Sequence, residues 1–296
     1  LFARLTLWIS LVVVGCLPVA PAHAAAPDIP TGSGSFVFTD QRGDPSKAMT
    51  VYTYVPPGID VSTAKIVFVM HGVNRDADTY RDAWIVAARA HGFIVVAPCF
   101  DARQWPGESY GYASVLNRDG SLRDASLWAF SVVEHLFDVV REALHDDVAH
   151  YALYGHSEGG QFVHRLVLLL PDARYDRAVA ANAGWYTLPT RDVRYPYGLG
   201  GLPVDDASLR KSLGRALTVM LGDRDIDPAH PQLNRSRSAE AQGANRFERG
   251  HFFIEQAKTA ASGLDVPLAW QLEEVPGAAH QNSRMLGPAA AVLAAP

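Results

Sequence analysis

The chemistry legible in this chain starts at one serine. Residues 151–162 read Tyr-Ala-Leu-Tyr-Gly-His-Ser-Glu-Gly-Gly-Gln-Phe: a short apolar run, then Gly155-His156-Ser157-Glu158-Gly159, then Phe162, Leu166, Leu169 and Leu170 at helical spacing. A strand, a one-residue turn and a helix joined this tightly force Ser157 into a strained backbone, and glycines at 155 and 159 avoid collisions across the turn. The strain lifts the Ser157 hydroxyl above the sheet edge. It also aims the backbone N–H of Glu158, at the helix N-terminus, toward a developing oxyanion. A serine hydroxyl is a poor nucleophile until an imidazole takes its proton and a carboxylate orients that imidazole.

Downstream of Ser157, residues 217–228 (Leu-Thr-Val-Met-Leu-Gly-Asp-Arg-Asp-Ile-Asp-Pro) form an apolar run that ends among three competing carboxylates, Asp223, Asp225 and Asp227. Asp227, before Pro228, is most simply a turn former. Farther on, Pro276-Gly277-Ala278-Ala279-His280 follows the last apolar run and makes His280 the candidate base. Residues such as His91, His135 and His145 fall on helical patterns. His156, beside the nucleophile, points away from the hydroxyl and is read as structural. Upstream, residues 65–70 are continuously apolar and lead into His71-Gly72-Val73-Asn74-Arg75, where His71 braces the loop. There is no cysteine pair, no His-x-x-x-His and no phosphate or dinucleotide glycine signature, so neither metal nor cofactor is expected.

These residues need a scaffold of alternating strands and helices. Strands are predicted at 35–39, 49–55, 65–70, 93–97, 150–154, 177–181, 216–221 and 268–274. Helices are predicted at about 79–91, through Leu127, Phe130, Val133, Phe137, Val140 and Leu144, after Ser157, near 245–262, and after Ser283. The first two strands, joined by Gly43-Asp44-Pro45, form an antiparallel edge hairpin, and the rest predict an α/β protein with a mostly parallel sheet of about eight strands covered on both faces. With 296 residues, 48% hydrophobic and 19% charged, one domain over residues 25–296 is expected. The net charge of −5 and the lack of a basic cluster argue against a nucleic-acid partner.

Residues 1–24 read as a secretory signal peptide: Arg4, an apolar run over 5–16, then Pro18, Pro21 and Ala22-His23-Ala24. The apolar run is short for a membrane span. Val13-Val14-Gly15-Cys16 competes as a lipobox, which would anchor the mature chain through a lipid on Cys16. The protein is thus expected to be secreted or periplasmic. The one other cysteine is Cys99, so no internal disulfide is expected after processing.

The elbow, His-Gly, Gly-x-x-Asp and Pro-Gly-Ala-Ala-His motifs, in that order, resemble the α/β-hydrolase superfamily over nearly the whole mature length. Within it, the chain resembles bacterial secreted esterases of the feruloyl-esterase and polyhydroxybutyrate-depolymerase-like group. The resemblance implies an α/β-hydrolase fold with a short cap-like loop over 184–202. It selects Asp225 through the Gly222-x-x-Asp spacing, places His280 in the histidine loop, and makes Val73 the second oxyanion donor beside Glu158. Trp105, Tyr112, Trp185 and Tyr186 are then the expected substrate-binding aromatics. The implied function is a cofactor-free serine carboxylic-ester hydrolase acting on a small or polymeric ester, with polyester depolymerisation as the alternative. Val73 stands where many such depolymerases carry a cysteine. Amide cleavage uses the same residues, and a non-catalytic ligand-binding protein of this fold is the rival from another class.

Overall fold

The computed structural model describes residues 26–295. The predicted signal peptide and Cys16 lie outside them. One eight-stranded sheet organises the described chain: β1 (Gly32–Thr39), β2 (Ala48–Val55), β3 (Ile66–Met70), β4 (Ile94–Pro98), β5 (Tyr151–His156), β6 (Tyr175–Ala181), β7 (Leu217–Gly222) and β8 (Trp270–Val275). Its order is β1-β2-β4-β3-β5-β6-β7-β8. The β1–β2 and β2–β4 pairs are antiparallel, and every later pair is parallel.

The central strands have no polar face because both of their faces are covered. Alternate residues divide between two apolar layers. Ile66, Phe68, Ile94, Val96, Tyr151 and Leu153 enter one, and Val67, Val69, Val95, Ala97, Ala152 and Tyr154 enter the other. The first layer is closed by α4 (Ala129–Leu144), α5 (Glu158–Leu169), α6 (Asp206–Leu213) and α8 (Arg246–Gly263), and the second by α1 (Ala77–Ala83), α2 (Ile85–His91) and α9 (Asn282–Ala294). Two four-residue helices, α3 (Glu108–Gly111) and α7 (Arg237–Glu240), lie in the loops.

The single helix predicted near 79–91 is two. The Trp84 N–H closes back on the Arg81 carbonyl, one residue short of the α-helical partner, while the Trp84 carbonyl starts the next helix by accepting from Ala88. Its indole, with no exposed surface, packs edge-on against Tyr154 at 4.9 Å. Helix α6 was not expected. Its signal is Asp205, whose carboxylate caps the Ser208 N–H at 2.8 Å, followed by Leu209 and Leu213 on the buried side. The expected cap-like segment over 184–202 is an irregular loop closed on itself by Leu188 N–H to Tyr197 O and Leu199 N–H to Thr190 O. No helix among the described residues is long and apolar enough to cross a membrane.

Candidate active site

The sheet delivers Ser157 on a turn that only small neighbours permit. Ser157 has φ 59° and ψ −117°, between the end of β5 and the first residue of α5, and its N–H donates to Ala181 O at 2.9 Å. A non-glycine residue in such a conformation costs about 1–3 kcal/mol and persists where its surroundings hold it. The surroundings here are backbone. A Cβ on Gly155 would lie 2.2 Å from Gly159 O, and one on Gly159 would lie 2.1 Å from Met70 O.

Three residues from three loops meet above this turn. His280 Nε2 lies 3.0 Å from Ser157 Oγ, and His280 Nδ1 lies 2.7 Å from Asp225 Oδ2. Asp225 follows β7 and is 3% exposed. The other two aspartates serve the backbone: Asp223 accepts from the Gly277 N–H at 2.7 Å, bracing the loop that carries His280, and Asp227 accepts from Ala229 N–H in its own turn. Among the three, geometry therefore brings Asp225 to the imidazole.

Several partners of this chain of hydrogen bonds were not foreseen. Arg246, 1% exposed, donates from Nη1 to Asp225 Oδ1 at 3.3 Å and sets Nη2 3.2 Å from His230 Nδ1. Asn182, fully buried just past the end of β6, accepts from the Gly222 N–H at 2.8 Å and donates to Ala279 O at 3.1 Å, joining the end of β7 to the His280 loop. The His280 ring lies between His156 at 4.8 Å and His230 at 5.3 Å. His156 is held neutral well below 6.5, first by burial and then by repulsion from His280 and Arg246, and Tyr80 Oη meets its Nδ1 at 3.2 Å.

His71 braces its loop as expected. Its Nδ1 bonds Gly72 O at 2.9 Å, its Nε2 accepts from the Phe100 N–H at 3.1 Å, and burial lowers its pKa to about 4. Val73, on that loop, and Glu158 both line the cleft that opens beside Ser157, about 390 Å³ in volume. The Glu158 N–H is one of those that a helix start leaves without an intrahelical acceptor.

Of the four aromatic candidates, Tyr112 and Trp185 line the cleft, and Trp105 and Tyr186 do not. Trp105 is a core residue, edge-on to Phe100 at 4.9 Å with Lys47 over its ring. Tyr186 stacks on Phe253 at 4.5 Å, and its backbone N–H and C=O are both held by the Gln242 side chain. Trp185 and Tyr186 are adjacent, so when one faces the cleft the other turns toward the core. Beneath Trp185 and Tyr112 lies Arg165, fully buried, its guanidinium 4.1 Å and 5.3 Å from their ring centres. It bonds the Thr187 hydroxyl and the Gly111 carbonyl. Among the described residues, no group of three His, Cys, Asp or Glu is placed to hold a metal.

No family model and no curated protein matches this chain. Solved structures do. Poly(aspartic acid) hydrolase-1 from Sphingomonas sp. KT-1 is 43% identical, covering 90% of this chain and 99% of that one, with a TM-score of 0.86. LpqC, a poly(3-hydroxybutyrate) depolymerase from Bordetella parapertussis, is 36% identical, covering 88% and 90%, with a TM-score of 0.84. The S-formylglutathione hydrolase FrmB from Staphylococcus aureus, 16% identical over 90% and 97% with a TM-score of 0.53, shares the fold. With its open, mostly parallel sheet and two such relatives across nearly their whole length, the chain belongs to the α/β-hydrolase superfamily of hydrolytic enzymes.

Proposed function

We propose that the protein is a serine hydrolase that cleaves carboxylic esters through an acyl-enzyme on Ser157. One observation carries the reading: an unbroken chain of short contacts from Ser157 Oγ through His280 to buried Asp225, at the mouth of a cleft. Asp225 keeps the imidazole proton on Nδ1, so Nε2 is free to take the serine proton as Oγ attacks the ester carbonyl. The negative charge that develops on the carbonyl oxygen is met by the N–H groups of Val73 and Glu158. His280 then protonates the leaving alcohol, and a water activated by the same nitrogen releases the acid. Export of the mature chain is part of this reading, supported by the apolar run over 5–16 and Ala22-His23-Ala24.

A polymer as substrate is the second reading, favoured by the names of the two relatives at 43% and 36% identity. The test is a panel of p-nitrophenyl esters of rising chain length beside poly(3-hydroxybutyrate) and poly(aspartic acid), for wild type and Ser157→Ala. Turnover of esters that vanishes in Ser157→Ala is the expected result. Wild type inert to every ester and polymer, yet still binding one of them, would instead identify a ligand-binding protein.

A further inference from the structure

The residue that follows the nucleophile is acidic, a poor neighbour for a site that must stabilise an oxyanion. Its environment gives it a purpose. Glu158 Oε1 lies 3.4 Å from Arg75 Nη2, with the side chains 14% and 11% exposed. Arg75 comes two residues after Val73, so this ion pair spans the two segments that carry the proposed oxyanion donors.

Arg75 is fixed from every side. Its φ is 62°, in a turn closed by its own N–H on Gly72 O at 3.2 Å, and its carbonyl accepts from Cys99 Sγ at 3.4 Å. Its guanidinium lies 4.4 Å over the Tyr110 ring and donates to Gly107 O at 3.3 Å. Tyr110 in turn donates its hydroxyl proton to His71 O at 2.9 Å, closing a loop around the His71–Arg75 turn. Glu158 has less support: its Oε2, like Arg75 Nη1, is buried without a hydrogen-bond partner. The carboxylate sits where burial disfavours it, and the cation in ion-pair contact with it is itself clamped to the opposite loop.

Resting on the Ser157 acyl-enzyme reading, we propose that Arg75 and Glu158 are a pair of positioning residues that set the spacing of the Val73 and Glu158 N–H groups and neutralise the acidic side chain beside the oxyanion. One nitrogen, Nη2, donates to Gly107 O and Glu158 together, and an arginine suits the task because its flat guanidinium also stacks on the Tyr110 ring, a contact that a lysine's compact ammonium makes with poorer geometry. The pair acts on the transition state, where the oxyanion exists, and hardly on the bound ester.

The experiment compares wild type, Arg75→Met, Arg75→Lys, Glu158→Gln and the Arg75→Met/Glu158→Gln double variant, each checked for a cooperative melt. Three readouts are taken: kcat and KM on one p-nitrophenyl ester, Ki for a trifluoromethyl ketone that mimics the tetrahedral intermediate, and labelling of Ser157 by diethyl p-nitrophenyl phosphate. We expect kcat in the Met and Gln variants to fall on the order of 10–100-fold, below the loss typical of deleting a whole oxyanion donor. KM should stay within about threefold and the ketone Ki should rise with the loss in kcat. Arg75→Lys should recover part of the rate, and the double variant should lose no more than Arg75→Met alone, as two members of one unit do. Losses confined to KM, fully additive losses, or wild-type kcat in folded Glu158→Gln would overturn the proposal. Wild type that the phosphate fails to label would overturn the acyl-enzyme reading instead, so the two failures are distinct.

Discussion

The surroundings of Glu158 disfavour its ionised form. Burial raises its pKa above the ordinary 4.5, and the opposing pull of Arg75, Arg165 and the Gly111 N–H does not cancel that rise. The charged form therefore costs the folded protein stability, and that cost is recovered as the pH falls through the raised value. Glu158→Gln, a neutral mimic, should melt above wild type at pH 7–8, and the difference should vanish below about pH 4.5. Scanning fluorimetry across that range checks it; a variant melting below wild type at pH 8 would show that Arg75 needs the charge more than the site resents it. The two aspartates after β7 make a sharper contrast. On the proposed triad, Asp225→Asn offers His280 a group that no longer demands a proton on Nδ1 and should cost roughly 10⁴-fold in kcat. Asp223→Asn keeps an acceptor for Gly277 and should cost less than about tenfold; steady-state rates on one ester decide between them. The meeting of Ser157 with His280 was legible because each sits in a local motif. Asp225 needed the family spacing to be chosen over Asp223. Arg246 was hidden, since a charge opening a helix 21 residues after its carboxylate carries no local mark. Trp105 and Tyr186 misled because composition says that a loop is aromatic but not which way each ring turns.

At the scale of elements, the site is a joint between strand ends. Asn182, just past β6 and with φ 43°, carries two of its ties: one to the Gly222 N–H, at the end of the strand that leads to Asp225, and one to Ala279 O, beside His280. Asn182→Ala leaves the buried Gly222 N–H without a partner, a cost of about 1–3 kcal/mol. It should lower Tm and also kcat, because the His280 loop loses its tether to β6; denaturant midpoints beside rates test this, and a variant less stable but with undiminished kcat would place the orienting force in Asp223 and Asp225 alone. All eight strands were legible, since buried parallel strands write continuous apolar runs and edge strands alternate. The break at Trp84 was not, because the helical period continues through it and only the i−3 closure and the buried indole end α1 there. Helix α6 was missed because eight residues carrying two buried leucines give too little period to stand out from a loop.

Across the whole molecule, the end of the sheet that carries the site is held together by neutral histidines. His71 bridges Gly72 O and the Phe100 N–H, and His164 bridges Gly160 O and the Thr187 N–H at 3.0 and 2.9 Å. His156 sits between Tyr80 and His280. Each of the first two uses one ring nitrogen as an acceptor, which the imidazolium lacks. Burial is the chief reason all three pKa values fall below 6.5, to about 4 for His71. The unfolded chain therefore binds these protons first. Stability is fully present above about pH 6.5 and is lost as the pH falls toward the depressed folded values. Each histidine contributes a slope approaching about 1.4 kcal/mol per pH unit. Glu158, Asp146 and Glu273, whose pKa values are raised chiefly by burial, act in the opposite direction, each as the pH falls through its raised value. Urea unfolding between pH 7 and 5 should therefore show stability falling with acid at close to three protons' worth from these rings, with partly exposed His230, also lowered by burial, adding to the same slope. His164→Gln, which can still donate to Gly160 and accept from Thr187, should reduce that slope by about one proton while changing stability at pH 7.5 far less than at pH 5. A wild-type stability that is flat over this range, or a His164→Gln slope equal to wild type, would mean that acid reaches these rings without unfolding the sheet end they clamp.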